Sequence, residues 1–136
     1  MDIPKTVIGK GWQAKQPADH VLGKNVPLAQ VSRMYQSHNY VLNVVNRNNT
    51  RFGLNMRCFE VTACGAVLLT EDSPDIEKNY RPGEEVIVYR SSEDLKASLA
   101  QLQRDPEARI QLANNGYQRC MTDHCYHHRI LTLLND

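Results

Sequence analysis

Three arginines, Arg47, Arg51 and Arg57, lie in or just beyond the polar stretch Asn46-Arg47-Asn48-Asn49-Thr50-Arg51. Guanidinium groups make paired hydrogen bonds to phosphate, and Arg57 falls in the first turn of a helix expected to begin near Asn55, where free N–H groups favour an anion. The combination suits a diphosphate; three solvated loop arginines are the alternative that spacing leaves open. Glu60 follows Arg57 by one helical turn. Its carboxylate can accept both hydroxyls of a ribose, or it can pair with Arg57 on the surface for a few tenths of a kcal/mol, and spacing alone favours the pair. The turn Gly9-Lys10-Gly11 would let the backbone approach a phosphate or sugar, although two glycines without a third more often make only a turn.

A second constellation, Cys120, His124, Cys125, His127 and His128, invites a zinc reading. No Cys-x-x-Cys pair exists and the residues run on through two amphipathic helices, so the spacing is poor for a closed site and no metal is expected. Capping and packing histidines account for the pattern. There is no nucleophile elbow, no Walker loop and no carboxylate pair specific enough to assign as acid and base. The four cysteines, Cys58, Cys64, Cys120 and Cys125, read as reduced thiols, since no secretory signal precedes them.

The elements that would position these residues alternate strand with helix. Thr6 to Gly9 reads as a buried strand opening into the glycine turn, and Val21-Leu22 as a weaker one. Leu28, Val31, Met34 and Tyr35 share a helix face ending near Ser37-His38-Asn39, and Tyr40 to Val45 is a strand apolar on both faces. Asn55 can cap a helix through Met56, Phe59 and Ala63 that stops at Gly65, a left-handed C′ residue; Ala66 to Thr70 is the next strand. Asp72 to Asp75 turns into a short helix and Glu85 to Tyr89 is a strand. Ser91 or Ser92 caps a helix carrying Leu95, Leu99 and Leu102. Asp105-Pro106 opens another with an apolar face of Ile110, Ala113, Tyr117, Cys120 and Met121, and Tyr126, Ile130, Leu133 and Leu134 mark the last. The pattern predicts an α/β, Rossmann-like open parallel sheet, whose ligands bind beyond the carboxyl ends of the strands. Gly9 to Trp12, Asn46 to Arg57 and Thr70 to Asp75 fall there.

Size and charge narrow the possibilities. With 136 residues, 41% hydrophobic and 23% charged, the chain is one globular domain spanning residues 1–136. A net charge of +1 leaves no broad basic face for nucleic acid, so an anion must be met locally. No apolar run approaches the roughly 20 residues of a membrane span, and the expected compartment is the cytoplasm.

The run Asn55-Met-Arg-Cys-Phe-Glu-Val-Thr-Ala-Cys-Gly-Ala-Val-Leu-Leu-Thr-Glu71, followed by Tyr80-Arg-Pro-Gly-Glu-Glu-Val-Ile-Val-Tyr89, resembles the C-terminal domain of CgeB-like (spore-protein type) group 1 glycosyltransferases. Asp94-Leu95, Asp105 to Arg109, Ala113 to Gly116 and His124 to Arg129 follow in the same order, and Gly9 to Trp12 and Val21 to Gly23 resemble the family's earlier strand ends. The resemblance implies the donor-binding half of a GT-B enzyme that transfers a sugar from a nucleotide-sugar, which is substrate and not cofactor. Glu60 would bind the ribose, Arg57 would face the diphosphate, and the loop from Thr70 and Glu71 to Asp75 would approach the sugar or phosphates. Gly9, Gly11 and Arg51 complete the expected donor site. In the broader family pattern a first glutamate would fall at position 52, which is Phe52 here.

The acceptor domain and the first strand of the donor domain are not represented, so an N-terminal acceptor domain, a partner chain or a second copy is expected to complete the sheet and the chemistry. A non-catalytic nucleotide-sugar-binding or assembly module is the alternative function.

Overall fold

A computed structural model describes residues 5–8, 26–45 and 52–135. Its elements are α1 (Leu28–Ser37), β1 (Tyr40–Asn43), α2 (Met56–Ala63), β2 (Val67–Glu71), α3 (Ile76–Asn79), β3 (Ile87–Tyr89), α4 (Ser92–Arg104), α5 (Pro106–Asp123) and α6 (Tyr126–Asn135). The strands form a parallel sheet in the order β1-β2-β3, with Tyr40 opposite Val67 and Leu69 opposite Ile87. Parallel neighbours need a crossover between them, and α2 supplies the one from β1 to β2.

Alternation along β2 divides the core into two layers. Leu68 faces Cys58, Val61, Ile76, Tyr80 and Val86 beneath α2, whereas Val67 and Leu69 face Leu102 and Leu112 beneath α4 and α5. The central strand is therefore buried on both sides, as its unbroken Val-Leu-Leu run requires.

Helix α2 ends in a complete Schellman motif. Gly65 adopts φ +71°, its N–H reaches the Thr62 carbonyl at 2.9 Å, and the Ala66 N–H reaches the Val61 carbonyl at 3.2 Å. The chain is thereby reversed straight into β2. Helices α4 and α5 begin at the expected caps, Ser91 accepting from the Asp94 N–H at 3.1 Å and Asp105 from the Ala108 N–H at 2.9 Å.

Several expectations are corrected. Residues 5–8 form no strand: Val7 makes a single bridge while Thr6 and Ile8 are exposed, because a run with two large apolar residues can bury only one of them on one face. The Val21-Leu22 strand lies outside the described residues. Strand β1 stops at Asn43, and Leu42 and Val44 are exposed, since β1 has one paired neighbour among the described residues. The strand expected from Glu85 begins only at Ile87, because Arg81 to Glu85 is a turn held by the Glu85 carboxylate and closed by one bridge between Pro82 and Val86.

On α5 the buried stripe is Leu112, Gly116 and Cys120, while Ile110, Tyr117 and Met121 are exposed. Gly116 decides this. It packs so closely on the Glu85 carbonyl and the Thr62 methyl that the helix meets its neighbours through its small residues. Helix α6 forms where expected, but its apolar residues Tyr126, Ile130, Leu133 and Leu134 are all exposed, with no described element covering them.

Candidate functional site

The carboxyl ends of the three strands converge on Asn43. Its side chain is fully buried. The amide donates to Thr70 Oγ1 at 3.1 Å and to Cys58 Sγ at 3.3 Å, its carbonyl oxygen accepts from Asn55 Nδ2 at 3.0 Å, and its backbone carbonyl accepts from the Tyr89 hydroxyl at 3.1 Å. One residue thus ties β1 to β2, β3 and the start of α2.

This network sets the character of the α2 N-terminus. Asn55 occupies the N-cap position but makes no side-chain cap bond, contrary to expectation: its Nδ2 donates to Asn43, and its Oδ1, the atom that would cap, accepts from the Cys58 thiol at 3.5 Å. The helix start is closed only by the Cys58 N–H bonding the Asn55 carbonyl at 3.1 Å, so the Met56 and Arg57 N–H groups have no recorded partner among the described residues. Helices α4 and α5, by contrast, have capped starts. An uncapped helix start beyond the carboxyl end of a parallel strand is suited to receive an anion.

Arg57 lies in that first turn, exposed, and Glu60 lies one turn further on, half-buried. Neither side chain makes an ion pair or hydrogen bond with a described residue, so the surface pair that spacing favours is not formed. Thr70 is buried and its hydroxyl is engaged by Asn43, which makes it part of the frame beneath the site. Glu71 ends β2 and, with Asp72, Tyr89, Arg90, Ser91 and Ser92, lines a cleft of about 470 Å³ beside the start of α4. Arg57 and Glu60 do not line it. An exposed pair between Arg90 Nε and Asp72 Oδ2, 2.8 Å apart, spans its rim. Gly9, Gly11 and Arg51 lie outside the described residues.

The loop before α2 is fastened to the opposite side of the crevice. The Gly53 N–H, at φ +83°, donates to Asp75 Oδ2 at 2.6 Å, and Lys78 donates to Asp75 Oδ1 at 2.6 Å. Lys78 first, then the Gly53 N–H, hold the Asp75 carboxyl below its usual range. Burial pushes the Cys58 thiol up, with the Thr70 and Asn43 contacts acting in the opposite direction, so Cys58 remains a neutral packing group and not a nucleophile.

His124 is also accounted for by packing. Its ring lies against Phe59 and Tyr80 at centroid distances of 5.1 and 5.0 Å. Nε2 is 2.8 Å from the Asn79 carbonyl and must donate to it, and Nδ1 accepts from Arg129 at 3.3 Å, which fixes a neutral tautomer. Asn43 was not among the residues singled out by spacing. Its signal was an amide inside the apolar run Tyr-Val-Leu-Asn-Val-Val, a residue type that strands disfavour.

A family model described as glycosyl transferase-like matches residues 1–135. The chain belongs to that family. As a glycosyltransferase-like domain it shares its fold with a sucrose-phosphate synthase from Thermosynechococcus elongatus, at a TM-score of 0.70 and 17% identity. The match covers 91% of this chain and 31% of that one, so the domain spans about a third of the protein it is similar to. No curated protein matches the sequence. The expected Rossmann-like open parallel sheet of the GT-B kind is therefore the observed architecture. No described helix is long and apolar enough to cross a membrane.

Proposed function

We propose that this domain is the donor-binding half of a CgeB-like glycosyltransferase and that the donor's diphosphate sits at the start of α2. The observation that carries the reading is the engagement of the Asn55 side chain by Asn43 and the Cys58 thiol, which leaves the first-turn N–H groups without a side-chain cap beside Arg57, whose guanidinium has no partner among the described residues. In this arrangement the N–H groups of Met56 and Arg57 and the Arg57 guanidinium receive the charge that develops on the departing diphosphate. Glu60, one turn along the same helix, accepts the ribose hydroxyls. Arg51, Gly9 and Gly11 contribute further phosphate and sugar contacts, and Glu71 borders the sugar end of the crevice with Thr70 holding the strand beneath it. The acceptor and the base that activates it come from a second domain or chain.

Calorimetric titration with UDP, GDP and ADP tests this reading. At least one should bind, and Arg57→Ala and Glu60→Ala should each weaken it about tenfold or more, since hydrogen bonds to charged groups contribute about 1.5–3 kcal/mol. Absence of binding to every nucleotide, or unchanged affinity in both variants, overturns the donor-site assignment.

A further inference from the structure

The bend between α5 and α6 gathers residues that no part of the donor-site reading uses. Helix α5 ends at Asp123 and α6 begins at Tyr126, which leaves Cys125 outside both helices. On a continuous helix Cys125 and His127 would point to opposite sides, because residues two apart do not share a face. The bend removes that obstacle. One ligand atom from each of Cys125, His127 and His128 lies within 4.8 Å of the others.

The two imidazoles also lean together. Consecutive helical residues project about 100° apart, yet the His127 and His128 ring centroids are 3.7 Å from one another. Cys125 Sγ is shared between the Cys120 and Met121 carbonyls at 3.7 and 3.6 Å, weak contacts that a metal bond readily replaces. His128 Nδ1 accepts from the Cys125 N–H at 3.2 Å, a bond that places the ring over the bend and that ligation gives up, since Nδ1 would then either hold the ion or carry the ring proton. His124 is not a member, since both of its ring nitrogens are engaged elsewhere.

We propose that Cys125, His127 and His128 form an open three-ligand site for a zinc-type divalent ion, with one thiolate, two imidazoles and water in the fourth position. In a tetrahedral zinc site sulfur and nitrogen ligands stand roughly 3.3–3.6 Å apart, so closure asks for side-chain shifts of about 1 Å. A thiolate with two imidazoles selects zinc over magnesium or calcium, which prefer oxygen ligands. The absence of a Cys-x-x-Cys pair argues against a closed four-ligand site and leaves this open one intact. Binding releases the Cys125 thiol proton to solvent and displaces water from the ion.

The test is titration of the reduced, metal-free chain with cobalt(II), followed by competition with zinc. The expected result is one equivalent of cobalt with a thiolate-to-cobalt charge-transfer absorption, displaced by zinc. Cys125→Ser should abolish that absorption, His127→Ala and His128→Ala should shift the titration to higher cobalt, and Cys64→Ser should leave it unchanged. All four positions lie at or near the surface, and circular dichroism confirms that each variant folds. Zinc should also slow amide hydrogen exchange in the first turn of α6. No charge-transfer absorption, one that survives Cys125→Ser, or binding that ignores both histidine substitutions overturns the proposal.

Discussion

At the scale of single residues, Asn43 and His124 carry opposite kinds of consequence. Asn43 uses both amide hydrogens and its side-chain oxygen in a buried site, so Asn43→Ala removes a partner from Thr70, Cys58 and Asn55 at once. Leaving buried polar groups unpaired costs about 1–3 kcal/mol, and urea denaturation of Asn43→Ala should show a loss of that size. With its Nδ2 released, Asn55 can swing its Oδ1 from the weak Cys58 thiol contact to the first-turn N–H groups and cap α2, so nucleotide affinity should fall as well. His124 is instead held neutral. Burial first, and the nearby Arg129 charge after it, lower its proton affinity from the ordinary value of 6.5, against the Asn79 carbonyl, which raises it. The unfolded chain therefore binds the proton more readily than the folded one, and stability is lost as pH falls through 6.5 towards the lower folded value. Thermal melts across that window should show a decline on the acid side that His124→Phe, which keeps the aromatic packing, does not show. Glu85 responds in a more acidic range. Burial raises its carboxyl, but the Arg81 N–H, the Arg81 guanidinium and Arg119 together hold it below its usual value.

At the scale of elements, two glycines on helices that touch should respond to the same substitution for different reasons. Gly65 has φ +71° and open space where a Cβ would go, so Gly65→Ala pays only for the left-handed backbone, about 1–2 kcal/mol. Gly116 has ordinary helical geometry, and alanine in an open helix would stabilise by up to about 1 kcal/mol. Here its Cβ would stand 2.5 Å from the Glu85 carbonyl oxygen, backbone that cannot swing aside. Overpacking of this kind costs about 1–3 kcal/mol, more than propensity returns, and Gly116→Ala should be net destabilising in chemical denaturation. Because Arg119, one turn along α5, bonds the carboxylate of the same residue, Glu85, at 3.0 Å, the variant should also loosen the turn that starts β3. Hydrogen exchange at the amides of residues 83 to 86 would reveal that loosening.

At the scale of the whole molecule, the three parallel strands and their two helical layers form a crevice at the strands' carboxyl ends, and on the proposed reading this is the donor side. The chain spans 31% of the sucrose-phosphate synthase whose fold it shares. On the donor-binding reading, the isolated chain should bind a nucleoside diphosphate yet release none from a nucleotide-sugar above the uncatalysed rate. Turnover by the chain alone, followed by nucleotide release, would show instead that acceptor chemistry resides within it.

Residue type and spacing alone were enough to establish the alternation of strand and helix, the Gly65 stop, the Asp105-Pro106 start and the family resemblance. Each rests on local backbone chemistry or on contiguous motifs, which neighbours in space do not alter. The apolar stripe of α5 and the role of Asn55 were not legible, because both depend on what lies opposite. Periodicity marks which residues of α5 are apolar, but a glycine's close approach to a distant carbonyl chose the face that packs. Propensity makes Asn55 a cap, but an asparagine on another element holds its Nδ2 and the Cys58 thiol its Oδ1. The same reason separates the two readings of Arg57 and Glu60: spacing allowed a surface pair, and only the folded chain showed that the two do not pair with each other or with another described residue at an uncapped helix start. Likewise Cys125, His127 and His128 have an unpromising order in sequence, and it is the bend between two helices that brings them together.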